Sequence, residues 1–508
     1  MSPDAVIVGT GPNGLAAGVT LARAGLSVEL YEAGDSIGGG LRTESLFDSD
    51  IPHDICSAVH PMALASPFFR EFGLRDRGVQ MLHAPASYAH PLPHGAAAVA
   101  YRDLDATCAG LGRDGRRWRR LMQPLLQHTD GIVDLLLSDQ RALPRDPAAA
   151  LVLSHRVVAH GTRLASGSFD TEEAKALLAG VAAHAVGRLP SLVAGAVGML
   201  LGHLAHGRGW PVPRGGSARI AAALAAEITA HGGVFHTGQL ISDLAELPRA
   251  TAVLLDVSPS ALAHIAAGRL PTRYQRALAH YTYGPGAAKA DFLLTERVPW
   301  ANRAVGGATT VHLGGTQADI FHSETTTAAG VLADEPFVLV VDPVVADPGR
   351  ARPGKYPLWA YAHVPNGDTT DPVELITTRI ERYAPGFRDT IIARRGISAA
   401  QYEAYNRNYV GGDIGTGAMT IGQSVLRPVA RTNPYRVPIP GVYLCSAATP
   451  PGPGVHGMSG YHAARAALRH EFGIRECPPL GPAAHVLPGQ LPGPPSLPIL
   501  QATCQPRF

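Results

Sequence analysis

Lysine is almost missing from this 508-residue chain: of 43 basic residues only Lys175, Lys289 and Lys355 are lysines. With abundant Ala, Gly and Pro, that scarcity reads as the codon bias of a GC-rich genome, and it makes an internal lysine conspicuous. Charge of one sign is also missing. Forty-three Lys and Arg face 41 Asp and Glu, net +2, with no long run of either, so no nucleic-acid partner is expected. The five cysteines (Cys56, Cys108, Cys445, Cys477, Cys504) form no CxxC pair, which argues against a dithiol redox centre, a zinc ribbon and a secreted disulfide framework. The 22 histidines make no HExxH and no His/Cys cluster, so no metal is predicted. There is no GxSxG with partners, hence no visible nucleophile for hydrolysis. Long apolar runs are missing too. The most apolar stretch, 176–205, is interrupted by Arg188 and Pro190, leaving Leu192 to Leu201, far short of the roughly 20 residues that span a bilayer. Peripheral membrane contact stays compatible with that stretch. The first strand begins at about residue 4 without a basic segment before it, which predicts no secretory leader and a cytoplasmic default.

The length suits two or three domains. What is present begins at once. Asp4-Ala-Val-Ile-Val reads as a buried strand, Gly9-Thr-Gly11-Pro12-Asn13-Gly14 as a glycine turn, Leu15 to Arg23 as a helix, and Leu26 to Tyr31 as a second strand ending at Glu32. That is the dinucleotide-binding βαβ unit with its terminal acid, 18 residues past Gly14 against a usual spacing of about 20. Gly9 makes the turn, Gly11 lets the backbone approach a diphosphate, and Gly14 allows close helix–strand packing. The helix N-terminus supplies N–H groups and partial positive charge. Glu32 is the expected ligand of a ribose hydroxyl, with Ala33 beside it.

Ser36-Ile-Gly38-Gly39-Gly40-Leu-Arg42-Thr43 follows the acid directly. This run resembles the second N-terminal signature of FAD enzymes in the amine oxidase and phytoene desaturase superfamily. The resemblance implies that Gly38 and Gly39 pass close to the flavin cofactor and that Arg42 meets its oxygens. Further along, the strand from Val234, Gly238 and Ile241 resemble that superfamily's middle FAD-binding segment, which places an adenine contact at Ile241. The C-terminal strand 440–445, the loop Ser446 to Met458 and the helix after it resemble the closing motif of phytoene-dehydrogenase-like flavoproteins, in a bacterial branch similar to pyridine nucleotide-disulfide oxidoreductase domain proteins. Val410 to Ile414 and Leu426-Arg427-Pro428 match the same branch. The likeness adds Ala448, Val455, Gly457 and Met458 as cofactor contacts and His456 as a candidate catalytic residue. One departure stands out: Ser446, Ala447 and Ala448 offer no carboxylate after the last strand, so a ribityl chain would rely on backbone, Ser446 or an aspartate from elsewhere.

The fold implied is α/β: a glutathione-reductase-type Rossmann FAD domain with an inserted α+β substrate domain that includes a helical cap. The expected layout assigns 1–100, 211–275 and 425–475 to the FAD domain, 101–210 to the cap, 276–424 to a substrate domain of mixed sheet and helices, and 476–508 to a Pro/Gly-rich tail. Trp118 to Leu137 and a segment capped by Thr171 read as cap helices, and Ser217 as the cap of another.

Three further groups are candidates for chemistry. His53 and His60 sit in Ile51 to Met62, a run that either lines a site or forms a satisfied loop. Lys289, on a strand, precedes Pro299-Trp300 by ten and eleven residues, which resembles the superfamily lysine that holds a water near flavin N5; the alternative is a lysine ending a strand in solvent. No second strand–GxGxxG–helix unit follows, so no nicotinamide partner is expected. The first functional expectation is an FAD-dependent desaturase or oxidase of an apolar small molecule, reoxidised by oxygen or a quinone. An amine oxidase, a flavin-dependent isomerase without net redox change, and a non-catalytic FAD-retaining partner protein are the alternatives. Oligomeric state is left open.

Overall fold

The computed structural model describes residues 2–138, 143–162 and 167–482. Five parallel strands form the first sheet, in the order Val442–Leu444, Ala252–Leu255, Ala5–Val8, Val28–Tyr31, Val234–His236. Its centre, Ala5–Val8, is buried at every residue, as a parallel strand covered on both faces must be. Helices Pro12–Arg23, Ala218–Ala230 and Met458–Glu471 cover one face through Ala16, Leu224 and Ala463; Pro259–Ile265 and Thr272–Ala279 cover the other through Leu262, Ile265 and Tyr274. The first and last helices lie so close that a Cβ on Gly460 would fall 1.8 Å from the Asn13 carbonyl oxygen. Glycine is required there. Helices Pro12–Arg23 and Met458–Glu471 are thereby locked together at the glycine turn.

The second sheet has seven strands, ordered Ile391–Ile397, Gly286–Leu294, Tyr356–Val364, Val338–Val341, Ala308–Leu313, Ala86–Pro91, Ala97–Tyr101. All neighbours are antiparallel except Ala308–Leu313 with Ala86–Pro91. Alternation along the strands sends Ala288, Ala290, Phe292, Val338 and Val340 against helix Pro372–Tyr383. The same period of two turns Lys289, Asp291, Leu339, Val341, Trp359 and Tyr361 to the opposite face, and that face roofs the cavity described below.

The cap consists of helices Leu104–Gly110, Gly115–Gln127, Thr129–Leu136, Pro147–His160, Glu172–Ala182 and Leu192–Gly207. Thr171 caps the fifth by accepting the Ala174 N–H at 3.3 Å.

Three expectations need correcting. The hairpin 86–101, expected in the first FAD segment, pairs through Ala86–Ala308 into the second sheet, so the boundary at 100 falls too late. The helix expected over 118–137 is two helices, broken at His128. Ser217 does not cap its helix with its side chain, because its hydroxyl is engaged by Ser57 and His60. The start of the expected tail is fastened: Arg23 donates to the carbonyls of Pro479 and Gly481, and Leu480 is fully buried. Residues 483–508 of that tail lie outside the described residues. Among the described residues no helix is long and apolar enough to cross a membrane.

Candidate cofactor and substrate site

A cavity of about 1140 Å³ runs from the glycine turn, between the two sheets, to the cap. It exceeds the roughly 300–1,000 Å³ of ordinary small-molecule sites, enough for a dinucleotide and a second molecule. At one end Gly9, Gly11, Pro12 and Asn13 form its wall. Gly9 has φ +95°, and a Cβ there would fall 2.7 Å from the Asp256 carbonyl oxygen; one on Gly14 would fall 2.2 Å from the Gly9 carbonyl oxygen. Pro12 occupies the first helical position, where its missing N–H costs nothing. Helix Pro12–Arg23 therefore presents its N-terminus to the cavity, with the Asp256 carboxylate standing against Gly14. The donor set suits a diphosphate.

Glu32 and Ala33 continue this wall. One Glu32 oxygen accepts the Thr10 N–H at 3.1 Å; the other accepts the Gly34 N–H at 2.9 Å and pairs with Arg42 at 3.0 Å. Arg42 also donates to the Ser36 carbonyl at 2.8 and 3.0 Å and lies 5.5 Å from the Tyr405 ring. It is thus a brace for the acid at least as much as a group free to meet a ligand. Gly38 and Gly39 stand against the first turn: the Gly38 N–H reaches the Thr10 carbonyl at 3.0 Å, and a Cβ on Gly39 would fall 3.0 Å from the Gly11 Cα. Gly39 lines the cavity and so does Ile241. The expected second and middle segments are therefore brought to the same end as the first.

The closing segment divides. Ser446, Ala447, Gly454 and Val455 are on the wall; Ala448, His456, Gly457 and Met458 are buried behind it. His456 is a correction. Its Nδ1 accepts the Met458 N–H at 3.0 Å, so Nε2 carries the proton and donates to the Gly452 carbonyl at 3.0 Å. With both nitrogens bound to backbone and burial pushing its pKa down to about 4, it shapes the loop and has no group left for a substrate. Gly457, at φ +69°, packs its Cα face on Phe68 and Ala16.

At the far end the second sheet contributes Thr310, Leu339, Val341, Trp359 and Tyr361, and the cap contributes Leu136, Leu192, Val197, Leu200 and His184. Lys289 is not on the wall. It is buried, ion-paired with Asp291, and 5.3 Å from the Trp359 ring that does face the cavity. Burial would raise the Asp291 pKa, but Lys289 and His53 together outweigh it and hold the carboxyl below its ordinary value. His53 lies behind the wall too, 3.8 Å from Asp291. The structure thus joins Lys289 and His53 through one aspartate beneath the aromatic pair Trp359–Tyr361, whose rings stack at 5.9 Å. His60 does reach the wall. The Ser217 hydroxyl donates to the Ser57 carbonyl at 2.6 Å, so it accepts from His60 Nε2–H at 2.8 Å and leaves Nδ1 as an unprotonated acceptor. Burial lowers the His60 pKa to about 4.

Four participants were not foreseen. Asp256, at the end of strand Ala252–Leu255, places its carboxylate over the glycine turn and accepts the Gly14 N–H at 2.9 Å. Its signal was the acid directly after a third apolar strand, in Leu254-Leu255-Asp256. Asp413 is on the wall but accepts three backbone N–H groups, from Gly284, Gly415 and Gly417, each at 2.8 Å. Tyr409 reaches over Gly40 to Cys56 Sγ at 3.4 Å. His184 is bound Nε2 to Nε2 to His312 at 2.9 Å and is the titratable side chain that the described cap residues give to the wall. No sequence spacing marks residues 128 apart as partners. Among the described residues no group of His, Cys, Asp and Glu could hold a metal ion.

These features define an α/β fold built on a Rossmann-like dinucleotide domain, with a second, mixed sheet and a helical cap over the cavity between them. The family model for an NAD(P)-binding Rossmann-like domain matches residues 7–72. Among individual proteins, the chain is 24% identical over 547 residues to the pyridine nucleotide-disulfide oxidoreductase domain-containing protein 2 of Rattus norvegicus, covering 92% of this chain and 93% of that one. Two solved structures share the fold: an oxidoreductase from Methanosarcina mazei (TM-score 0.58, 16% identity, 92% and 99% of the two chains), and putrescine oxidase bound to putrescine (TM-score 0.54, 16% identity, 93% and 99%).

Proposed function

We propose that this chain is an FAD-dependent oxidoreductase acting on a largely apolar small molecule, as a desaturase or oxidase, with oxygen or a quinone as electron acceptor. The observation that carries the reading is the cavity's two unlike ends: a glycine turn with an acid at one, and a chamber of Leu136, Leu192, Val197, Leu200, Leu339 and Val341 at the other. FAD, when bound, supplies a hydride acceptor. The residues' own work is to bind and orient. Gly9 to Gly14 and Glu32 suit the adenosine diphosphate end, with Ile241 beside it. Trp359 and Tyr361 offer a flat aromatic wall, and the cap helix Leu192–Gly207 keeps water from the chamber. His184 and His60, both neutral, can each offer a ring nitrogen to a hydrogen bond without bringing a charge into apolar surroundings.

The carboxylates on the wall argue against a cationic substrate. Glu32 is paired with Arg42, Asp256 is bound to the glycine turn, Asp413 is filled by three N–H groups, and Glu403 accepts the Gly411 N–H at 2.7 Å. An ammonium in the chamber would lack a counter-ion and bear the full cost of desolvation. An amine would enter as the neutral base, which keeps amine oxidation as the near alternative. The test is an anaerobic titration of the FAD-loaded protein with cyclohexanol, cyclohexylamine, putrescine and a linear polyene. Bleaching by a neutral apolar compound supports the reading. Bleaching by putrescine alone, at a pH where both its amines are charged, would overturn it.

A further inference from the structure

The glycine turn already holds an anionic group. Asp256 is 6% exposed and stands on the cavity wall beside Gly9, Gly11, Pro12 and Asn13. Its Oδ2 accepts the N–H of Gly14 at 2.9 Å, and a Cβ on Gly11 would fall 2.7 Å from that same oxygen. The carboxylate thus lies within one atom's width of the surface a diphosphate must use. Its backbone is fixed as well: the Asp256 N–H donates to the Val8 carbonyl at 2.7 Å, and its carbonyl accepts from Asn408 Nδ2 at 2.9 Å. Withdrawal of the side chain would break the Gly14 bond and bury an unpaired group, so proximity to an incoming anion is built into the fold.

The surrounding charges do not relieve it. From the second strand come Tyr31 and Glu32, and the nearby Arg42 is spent on Glu32 and the Ser36 carbonyl. From the last strand comes the neutral thiol of Cys445, held well above its ordinary pKa by burial and by Asp256 itself. His264 and Arg407, from the helix Pro259–Ile265 and the loop carrying Asn408, also line the cavity. Burial, more than the nearby Glu32 carboxylate, pushes the Asp256 pKa up to about 7 before any ligand is present.

We infer that Asp256 takes up a proton when the diphosphate of a dinucleotide seats on the glycine turn, its carboxyl then keeping the Gly14 N–H and donating toward a phosphate oxygen. Two like charges in one desolvated site cannot both persist, and the carboxyl is the group able to neutralise. Cofactor capture is therefore proton-coupled and weakens as pH rises: above about pH 7 one proton per site gives about a tenfold loss of affinity per pH unit. This inference rests on the dinucleotide reading above, and it holds for any dinucleotide with a diphosphate.

The experiment is calorimetric titration of the cofactor-free full chain with FAD between pH 6 and pH 9, each point in two buffers of different ionisation enthalpy. The diphosphate of FAD does not itself titrate in this range, so the buffer dependence counts protons taken up by the protein. Expected are uptake approaching one proton above pH 7 and affinity falling about tenfold per unit. Asp256→Asn, which keeps an acceptor for Gly14 and a donor for the phosphate, should bind FAD with no uptake and a flat pH profile. No uptake by the unmodified protein, or unchanged uptake in Asp256→Asn, overturns the role of Asp256 while leaving dinucleotide binding intact. Failure of the unmodified protein to bind FAD or NAD at any pH overturns both.

Discussion

Replacing Gly14 by alanine tests how tightly the glycine turn is built. The position has an ordinary helical backbone, so alanine's conformation is allowed and its intrinsic helix preference would favour the variant by about 1 kcal/mol. Space decides otherwise. The new Cβ would fall 2.2 Å from the Gly9 carbonyl oxygen and 3.1 Å from Asp256 Oδ2. The first contact is with backbone and can be relieved only by moving the turn, and overpacking of this kind costs about 1–3 kcal/mol. The shift also stretches the 2.9 Å bond from Gly14 to Asp256. Overpacking less the helix preference leaves about 0–2 kcal/mol, and weakening the Gly14 bond adds about 1 kcal/mol, so a net loss of about 1–3 kcal/mol is expected, with FAD affinity down about tenfold where about 1.4 kcal/mol of it falls on the bound state. Gly110→Ala is the control: it ends helix Leu104–Gly110 with nothing within 4 Å of its Cβ position, and should be neutral or gain about 0.5 kcal/mol. Thermal melting of the cofactor-free chain and quenching of FAD fluorescence read the two quantities. Equal melting temperature and equal FAD affinity in Gly14→Ala and wild type would refute the reasoning.

Arg350→Met should be among the most damaging single changes, because Arg350 and Asp54 form a buried pair at 2.9 Å with exposures of 1% and 0%; leaving Asp54 unpaired costs about 3–5 kcal/mol, read as a fall in denaturant midpoint. Burial alone would raise the Asp54 pKa, and Arg350 with the Ser217 N–H and Thr43 hold it below the ordinary value. That depressed pKa contributes stability above the unfolded value, lost as pH falls through the folded one, so the variant's acid-unfolding midpoint should move to higher pH. The buried histidines set a second limit. Burial lowers His60 and His90 to about 4 and His184 to about 3, and holds His312 well below 6.5. Their stability is present above the unfolded pKa of about 6.5 and is lost as pH falls below it, at about 3 kcal/mol for a shift of about two units or more. Melting temperature should drop steeply from pH 6.5 to 4.5, and a flat profile there would contradict their burial as neutral rings. His184→Phe should leave FAD affinity within about threefold while changing which ligands perturb the flavin spectrum, since His184 faces the chamber and not the turn; a large loss of FAD would place it elsewhere in function.

The cofactor end was legible in the sequence because its parts are local. A strand, three glycines, a helix and an acid within forty residues each leave a residue-level trace, and Gly9 to Glu32 fold as those traces predict. The chamber was less legible because its parts meet only through sheet pairing. Lys289 stands on the expected strand, yet the alternation that buries it also turns it onto Asp291 behind Trp359. His456 sits in the expected loop, but two backbone groups capture its ring. His184 and His312 become partners only when the cap helix lies on the strand Ala308–Leu313. Asp256 stands one residue past the strand Ala252–Leu255, and its side chain turns back over Gly14, 242 residues away in the chain.

The most direct test of the central claim is the visible spectrum of the purified full chain, with and without added FAD, before and after anaerobic addition of a neutral apolar substrate candidate. A bound flavin spectrum that bleaches and returns with oxygen or a quinone is the predicted result. A colourless protein that fails to bind added FAD would contradict the account.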